Sequence, residues 1–165
     1  MRKDDPALVN ITSVDFSHFN SSLLESIEGM FYRCSSLEEI NFTNFNTSNV
    51  NNMNFLFYEC SNLKSLDLSN FNTSKITMMN RMFEKCSNLK SLDLSNFNTS
   101  KVTGTSGMFK SCTSLEFLDI SNFDMRNIIK DMAAIELDEE MFNNMDKIKY
   151  LNLDYIQYND FLAYC

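Results

Sequence analysis

The sequence predicts an α/β repeat protein, a solenoid of about six coils with parallel strands on one face and short helices or turns on the other. Three observations lead to this prediction. Cys34, Cys60, Cys86 and Cys112 recur at a constant spacing of 26. Each unit contains a segment of alternating apolar residues, followed by one with apolar residues at steps of three and four. Glycine (3) and proline (1) are scarce among 165 residues, which disfavours a loop-dominated fold.

The same period holds for other residue types. It holds for three further columns, namely Phe31, Phe57, Phe83 and Phe109; Leu37, Leu63, Leu89 and Leu115; and Phe45, Phe71, Phe97 and Phe123. A degenerate first copy begins near Ile11, and the step from Phe109 to Phe142 is longer than the regular period. We therefore predict one domain over 1–165, with regular coils over 10–127, an insertion over 128–141, and a last coil with a C-terminal cap over 142–165.

The alternating segment predicts the strand of each coil. In "LKSLDLS", Leu66 and Leu68 alternate with polar residues, which is typical of a strand with one buried face. Strands of successive units would stack in parallel about 4.8 Å apart. No unit can bury its apolar face alone, so its neighbours must complete the core.

The second segment predicts a short helix. After "SNFNTS", the apolar residues Ile76, Met79, Met82, Phe83 and Cys86 follow at helical spacing. Thr73 and Ser74 precede them and are suitable residues for a helix N-cap.

The repeat "LDLSNFNTSKITMMNRMFEKC" resembles the 26-residue repeat of BspA-like surface proteins, which include mycoplasma-type lipoproteins of unknown function. Its x-x-L-x-L core is shared by leucine-rich repeats. The resemblance implies a right-handed leucine-rich-repeat solenoid with a concave strand face. It also implies a cell-surface or secreted protein concerned with adhesion or host contact. It supplies no catalytic residues.

Composition and charge limit the function further. The net charge is -8, and 131–165 carries 8 acids and 2 lysines, so we expect no nucleic-acid partner, which would need a basic surface. No apolar run is long enough to span a bilayer, and "MRKDDPALVN" lacks the apolar stretch of a signal peptide. From these features alone, an intracellular protein and a fragment of a secreted protein both remain open.

The four periodic cysteines, Cys34, Cys60, Cys86 and Cys112, have three interpretations. A spacing of 26 without local partners does not match zinc-binding motifs, although a metal column along the stack is conceivable. Disulfides between coils are geometrically marginal, because parallel side chains keep their Cβ atoms too far apart. We favour a ladder of buried free thiols, in register with the ladder of Phe31, Phe57, Phe83 and Phe109. We expect no metal and no cofactor.

One outward column of the strands is rich in acids and amides. It consists of Asp15, Asn41, Asp67, Asp93, Asp119 and Asn152. It either attracts a basic partner or consists of locally bonded, solvated side chains. Beside it, Phe117 and Tyr150 interrupt a polar column and are candidates for anchoring a partner. The alternative is that the insertion or the chain end covers both rings.

Other motifs carry less information. Six N-glycosylation acceptor sequences begin at Asn10, Asn20, Asn41, Asn46, Asn72 and Asn98, but Asn and Ser/Thr also satisfy backbone groups at turns. His18, the only histidine, matches the turn residue Asn70 of a later copy. No phosphate-binding loop, carboxylate pair or nucleophile motif is recognisable, so we do not expect an enzyme.

We therefore predict a non-enzymatic module that binds a protein or a cell-surface ligand, as part of an adhesin-like protein. The alternative is an intracellular protein–protein interaction scaffold. The partner-binding residues would be Asp67, Asp93, Asp119, Phe117 and Tyr150. A competing site would lie on the other side of the coils, at Lys75, Arg81 and Lys101. The open N-terminal coil predicts either upstream repeats or self-association.

Overall fold

The structure is a computed structural model, and it describes residues 10–124 and 141–153. Five strands of three residues each lie in these ranges: β1 (Ser13–Asp15), β2 (Glu39–Asn41), β3 (Ser91–Asp93), β4 (Phe117–Asp119) and β5 (Tyr150–Asn152). They form a two-stranded sheet, β1-β2, and a three-stranded sheet, β3-β4-β5. The rest of the described chain consists of turns, bends and isolated bridges, apart from a 3-10 position at Asn10, and contains no α-helix.

The predicted fold class is therefore wrong. An α/β leucine-rich-repeat solenoid needs a continuous strand face and short helices or turns opposite, whereas the described chain has two separate short sheets and no helix. The insertion predicted at 128–141 lies outside the described residues except for Met141. The C-terminal cap beyond 153 also lies outside them.

The strands that form are parallel, and the sequence period sets their register. Ser13 pairs with Glu39 and Ser91 pairs with Phe117, in each case one regular period further along the chain. Phe117 pairs with Tyr150, so the pairing resumes across the longer spacing that precedes the last unit. The middle residue of each strand faces the core, and the outer two face solvent to varying degrees.

A series of turns replaces the predicted helix. Along 55–60, alternate backbone N–H groups donate to the next unit, as Phe57 does to the Met82 carbonyl at 2.8 Å. The intervening ones donate three residues back within the unit, as Tyr58 does to the Phe55 carbonyl at 3.2 Å. An α-helix needs its N–H groups for its own i−4 carbonyls, so this pattern excludes it.

Left-handed residues also prevent a helix here. Phe55 and Glu59 have φ angles of 57° and 58°. The same two positions are left-handed in the neighbouring units, at Gly29 and Arg33, Arg81 and Lys85, and Gly107 and Ser111. Left-handed residues occur singly and not within right-handed helices. The spacing of three and four between apolar residues is thus explained by turns, which direct Met79, Met82 and Phe83 into the core.

Stacked rings form the centre of the core. Phe31, Phe57, Phe83 and Phe109 are almost completely buried, with successive ring centroids 5.5, 5.5 and 5.7 Å apart. Phe142 continues the stack at 5.8 Å from Phe109. Offset stacking of this kind adds to the free energy gained from apolar burial.

The strand side is interrupted at 65–67. No backbone N–H of Ser65, Leu66 or Asp67 donates a hydrogen bond in the described part of the chain, and no strand is assigned there. The same unit remains connected elsewhere, since Met78 bridges in parallel to both Asn52 and Gly104. The interruption is therefore local to the strand side of this unit.

Candidate partner-binding surface

The acidic column lies on the outward side of the strands. Asp15, Asn41, Asp93, Asp119 and Asn152 are the last residues of β1 to β5, and Asp67 holds the equivalent position in the interrupted unit. The residue before each of them points to the core, so the alternation of the strand turns the column outward. We call this outward side, with Phe117 and Tyr150, the strand face.

Each acid of the column's middle part is held by a local hydrogen bond. Asp67 Oδ1 accepts from the Ser69 N–H at 2.9 Å, and Asp93 Oδ1 accepts from the Ser95 N–H at 2.9 Å. Asp119 Oδ1 accepts from the Ser121 N–H at 3.0 Å. Such Asx turns account for an Asp two residues before the turn serine in each of these units.

Amide side chains relieve the charge at both ends of the column. Asn41 Nδ2 donates to Asp15 Oδ1 at 3.1 Å, and Asn152 Nδ2 donates to Asp119 Oδ2 at 2.7 Å. Between them, Asp67, Asp93 and Asp119 follow one another without an intervening amide. The negative charge of the column is therefore concentrated in its middle.

Hydrogen bonding keeps the carboxylates of Asp67 and Asp119 ionised. The hydroxyl and the backbone N–H of Ser69 lower the pKa of Asp67. Partial burial acts to raise the pKa of Asp119, but the hydrogen bonds from Asn152 and Ser121 outweigh it and lower that pKa. Both groups are charged at neutral pH.

Phe117 and Tyr150 form an aromatic pair on the strand face. Their ring centroids are 4.9 Å apart and the ring planes differ by 1°. Phe117 is half-buried, whereas 51% of Tyr150 is exposed. Tyr150 is thus open to solvent, while the insertion and the chain end, which the alternative places over both rings, lie outside the described residues apart from Met141.

Two grooves meet at Asp67 on this face. One, of about 260 Å³, is lined by Ser65, Leu66, Asp67, Ser91, Asp93 and Phe117. The other, of about 300 Å³, lies between Asp67 and the preceding unit, against Asn41 and Thr43. Sequence reasoning did not find these grooves, which both border the interruption at 65–67.

The cysteine column serves the core. Cys34, Cys60, Cys86 and Cys112 are buried free thiols. Cys60, Cys86 and Cys112 each donate through Sγ to the carbonyl of a phenylalanine in the preceding unit, at 3.1, 3.2 and 3.1 Å. Burial raises the pKa of all four thiols, that of Cys112 to about 12. Thiolate chemistry is therefore disfavoured at these sulfurs.

Metal binding gains no structural support from these side chains. Among the described residues, no three His, Cys, Asp or Glu side chains are grouped closely enough to hold a metal ion.

A second charged groove was not predicted. It has a volume of about 560 Å³ and runs along Arg33, Glu59 and Lys85 on one side and a column of serines and a threonine on the other. Glu59 bonds to both cations, with Oε2 at 2.9 Å from Arg33 Nε and Oε1 at 2.6 Å from Lys85 Nζ. In the sequence, the alternation of positive and negative residues at the repeat period, from Arg33 to Glu59 to Lys85, is the signal for this row of ion pairs.

The three residues of the competing basic site differ in exposure and in their partners. Lys75 and Lys101 are exposed, and Lys75 Nζ donates to Asn49 Oδ1 at 2.8 Å. Arg81 is half-buried, with Nη1 at 3.5 Å from Glu84 Oε2. Arg81 thus pairs with a buried carboxylate, unlike the two lysines.

The acceptor sequences coincide with bonded turns. Thr47 is buried, and its hydroxyl accepts from the Asn72 N–H at 2.8 Å and donates to the Asn72 carbonyl at 3.0 Å. Asn46 Oδ1 accepts from the Ser48 N–H at 2.9 Å. Asn46 and Thr47 of this acceptor sequence thus have structural roles at a turn.

Two features of the first unit are also located by the structure. His18 is exposed in a turn, at the position that later units fill with asparagine. Self-association through this unit stays a prediction, in which Phe19 and Leu23, 46% and 89% exposed, would take part.

Comparisons with known proteins identify a family. The described residues include no helix long and apolar enough to cross a membrane. No curated protein and no solved structure matches the chain. The profile of one family, described as "Mycoplasma protein of unknown function, DUF285", matches residues 25–151. Since this match covers most of the chain and nearly all of the repeated units, the chain belongs to the DUF285 family.

Proposed function

We propose that this protein is a non-enzymatic binding module whose strand face contacts a protein or a cell-surface ligand. The observation that carries this proposal is the aromatic pair of half-buried Phe117 and exposed Tyr150, beside three successive carboxylates. Aromatic residues are enriched in interfaces relative to the rest of the protein surface and are frequent anchors of binding.

The two parts of the face have different roles in this proposal. Asp67, Asp93 and Asp119 attract a basic partner over a distance and so raise its association rate, an effect that salt weakens. Phe117 and Tyr150 lose water contact on binding and slow dissociation. The partner would therefore carry positive charge close to a side chain or other group that packs on Phe117 or Tyr150.

We further propose that the chain acts at a cell surface, as an adhesin-like protein of the BspA-like kind. The support for this is the resemblance of "LDLSNFNTSKITMMNRMFEKC" to the repeat of those proteins, together with membership of DUF285. Antibody labelling of intact and permeabilised cells of the source organism tests the placement. Labelling only after permeabilisation would favour the intracellular scaffold instead.

Binding itself is tested by capture of purified extracellular-matrix and host-surface proteins on the immobilised chain. The double variant Phe117→Ala, Tyr150→Ala should weaken capture by at least about fivefold, a common effect of removing interface anchors. The triple change of Asp67, Asp93 and Asp119 to Asn should mainly slow association and reduce its salt dependence.

A matched pair of charge changes on the competing surface is the control. Lys75→Glu with Lys101→Glu leaves Arg81 and its ion pair intact. We expect these changes to leave capture unchanged. Capture that survives the aromatic changes but is lost with the lysine changes would move the binding site away from the strand face.

A further inference from the structure

The groove beside Phe117 arises from a change in side-chain size along one column. The strand-face column reads Ser65, Ser91, Phe117 and Tyr150 in successive units. Two small residues therefore precede two large rings. The groove of about 260 Å³ lies at this step, with Ser65 and Ser91 along it and Phe117 at its end.

One face of the Phe117 ring is available to a ligand. Tyr150 stacks on one face at 4.9 Å, since β5 lies on one side of β4. β3, which carries Ser91, lies on the other side. Within 10–124 and 141–153, no second aromatic ring and no cation is stacked on Phe117. A planar group entering the groove would thus lie against the free face of the ring.

Two carboxylates line the same groove. Asp67 and Asp93 each use Oδ1 for a local bond to the backbone, to Ser69 and Ser95 respectively. Among the described residues, no side chain of another unit donates to Oδ2 of either, in contrast to Asp119, whose Oδ2 accepts from Asn152. The groove therefore combines an aromatic face with two carboxylate oxygens that can accept from a ligand.

The surrounding charge favours a cation. The charges were counted over the five strands, the equivalent segment 65–67, and the one residue that precedes each of these six. Together they contain seven carboxylates and three lysines. Lys64 and Lys149 are already paired, with Glu38 at 2.7 Å and Glu116 at 2.8 Å. The interruption at 65–67 adds backbone groups that an extended chain can bond to.

We propose that the strand face recognises an arginine in an extended basic segment of a partner protein, its guanidinium stacked on Phe117 and bonded to Asp93 and Asp67. This inference rests on the proposed function and names the chemistry of the partner. Guanidinium is planar, stacks on aromatic faces and offers several donors to carboxylates, whereas a lysine ammonium is a compact charge without a planar face. The groove on the other side of Asp67 accommodates the next residues of the segment.

The test uses three fluorescent Gly-Ser peptides that differ only in carrying several arginines, lysines or glutamines at the same positions. Fluorescence anisotropy at low salt gives the dissociation constants. Wild-type protein should bind the arginine peptide at least about threefold more tightly than the lysine peptide, the scale of a cation–π contact. Asp67→Asn with Asp93→Asn should weaken both peptides, by about tenfold for arginine.

Phe117→Ser should abolish the preference for arginine while leaving lysine binding unchanged. Serine already occupies this position in two units, and Phe117→Leu keeps an apolar side chain without the aromatic face, so the two variants together separate stacking from folding. Tyr32→Ser is the matched control, because Tyr32 and Tyr58 form another stacked pair, also at 4.9 Å, outside the strand face.

The outcomes separate this inference from the function on which it rests. Equal affinity for arginine and lysine peptides, or a preference that survives both Phe117 variants, would overturn the arginine site. If the asparagine changes still weakened both peptides, the strand face would remain a surface for basic partners. Binding of neither peptide above the glutamine control would overturn the basic partner as well.

Discussion

At the scale of single residues, the buried cysteine thiols are held by the backbone of a neighbouring unit. Cys86 is fully buried, and its Sγ donates to the Phe57 carbonyl at 3.2 Å. The column of cysteines thus has a directional role in addition to filling apolar space. A serine hydroxyl at the same position would find the same acceptor, which the sequence alone could not indicate.

Substitution of Cys86 tests this role. Cys86→Ala should lower the free energy of unfolding by about 1 kcal/mol, through the loss of a buried sulfur and its hydrogen bond. Cys86→Ser should cost no more than Cys86→Ala, because its hydroxyl can donate to Phe57. Urea unfolding measures both. A serine variant clearly less stable than the alanine variant would show that the carbonyl does not accept from this position.

Glu84 is also buried, and its contribution to the stability of the folded protein depends on pH. It is 3% exposed, and Oε2 accepts no hydrogen bond but lies 3.5 Å from Arg81 Nη1. Burial raises the pKa of Glu84 despite the nearby cations. A raised pKa in the folded state means that the contribution of Glu84 to stability is fully present below the unfolded pKa, about 4.3, and is lost as pH rises through the folded pKa.

Glu84→Gln should therefore be more stable than wild type at pH 7, by roughly 1 kcal/mol. The difference should vanish below about pH 4, where the wild-type carboxyl is protonated in both states. Glu59→Gln is the control of opposite sign. Burial opposes the effect, but the hydrogen bond and charge of Lys85 lower the pKa of Glu59, so this variant should be less stable at pH 7. Melting temperatures across pH that show Glu84→Gln destabilised at pH 7 would contradict this account.

At the scale of elements, the turns and strands are joined mainly across units and not within them. The buried threonines illustrate this. Thr73 accepts from the Asn98 N–H at 2.7 Å and donates to the Asn98 carbonyl at 3.3 Å. The sequence predicted Thr73 as a helix cap within its own unit, whereas its hydroxyl joins two units. Thr47 does the same for Asn72.

Thr73→Val should therefore destabilise the protein by about 1–3 kcal/mol, because valine keeps the shape but leaves the Asn98 N–H without its acceptor. Thr77→Val is the matched control. Thr77 is exposed and donates to the Asn51 carbonyl at 3.2 Å, which water can replace. Chemical denaturation should show little change for Thr77→Val. Equal effects of the two substitutions would argue against a structural role of the buried hydroxyl.

The elements also show how far sequence reasoning reaches in this protein. The repeat period directly implies which residues face each other, such as Ser91 and Phe117. It does not distinguish a short helix from a series of turns, because both place residues three and four apart on one side. Left-handed conformations at Phe55 and Arg81 carry no residue-type signal, since glycine occupies those positions only in other units. The helix prediction failed for this reason.

The same limit applies to the candidate surface. The column of acids and the pairing of Phe117 with Tyr150 follow from the register, so they were predictable. The groove beside Phe117 borders the interruption at 65–67, where the sequence matches that of 91–93. Nothing in "KSLDL" distinguishes the unit at 65–67 from the unit at 91–93, which forms a strand. We have no physical account of this difference.

At the scale of the whole molecule, two surfaces compete as the site of binding. The strand face carries clustered carboxylates and a stacked aromatic pair. The surface with Lys75 and Lys101 carries exposed cations but no comparable aromatic pair among the described residues. The two surfaces would attract partners of opposite charge, so that locating the bound partner decides between them.

The central claim is that the strand face binds the partner, and hydrogen–deuterium exchange tests it most directly. Exchange is measured for the free protein and for its complex with whichever extracellular-matrix or host-surface protein it captures most tightly. Ser65, Leu66 and Asp67 donate no backbone hydrogen bonds within the described ranges, so their amides should exchange rapidly in the free protein. We predict that the partner slows exchange at 64–68 and also protects 90–94 and 116–119. Protection confined to 73–78 and 99–104, with 64–68 unchanged, would contradict the assignment of binding to the strand face.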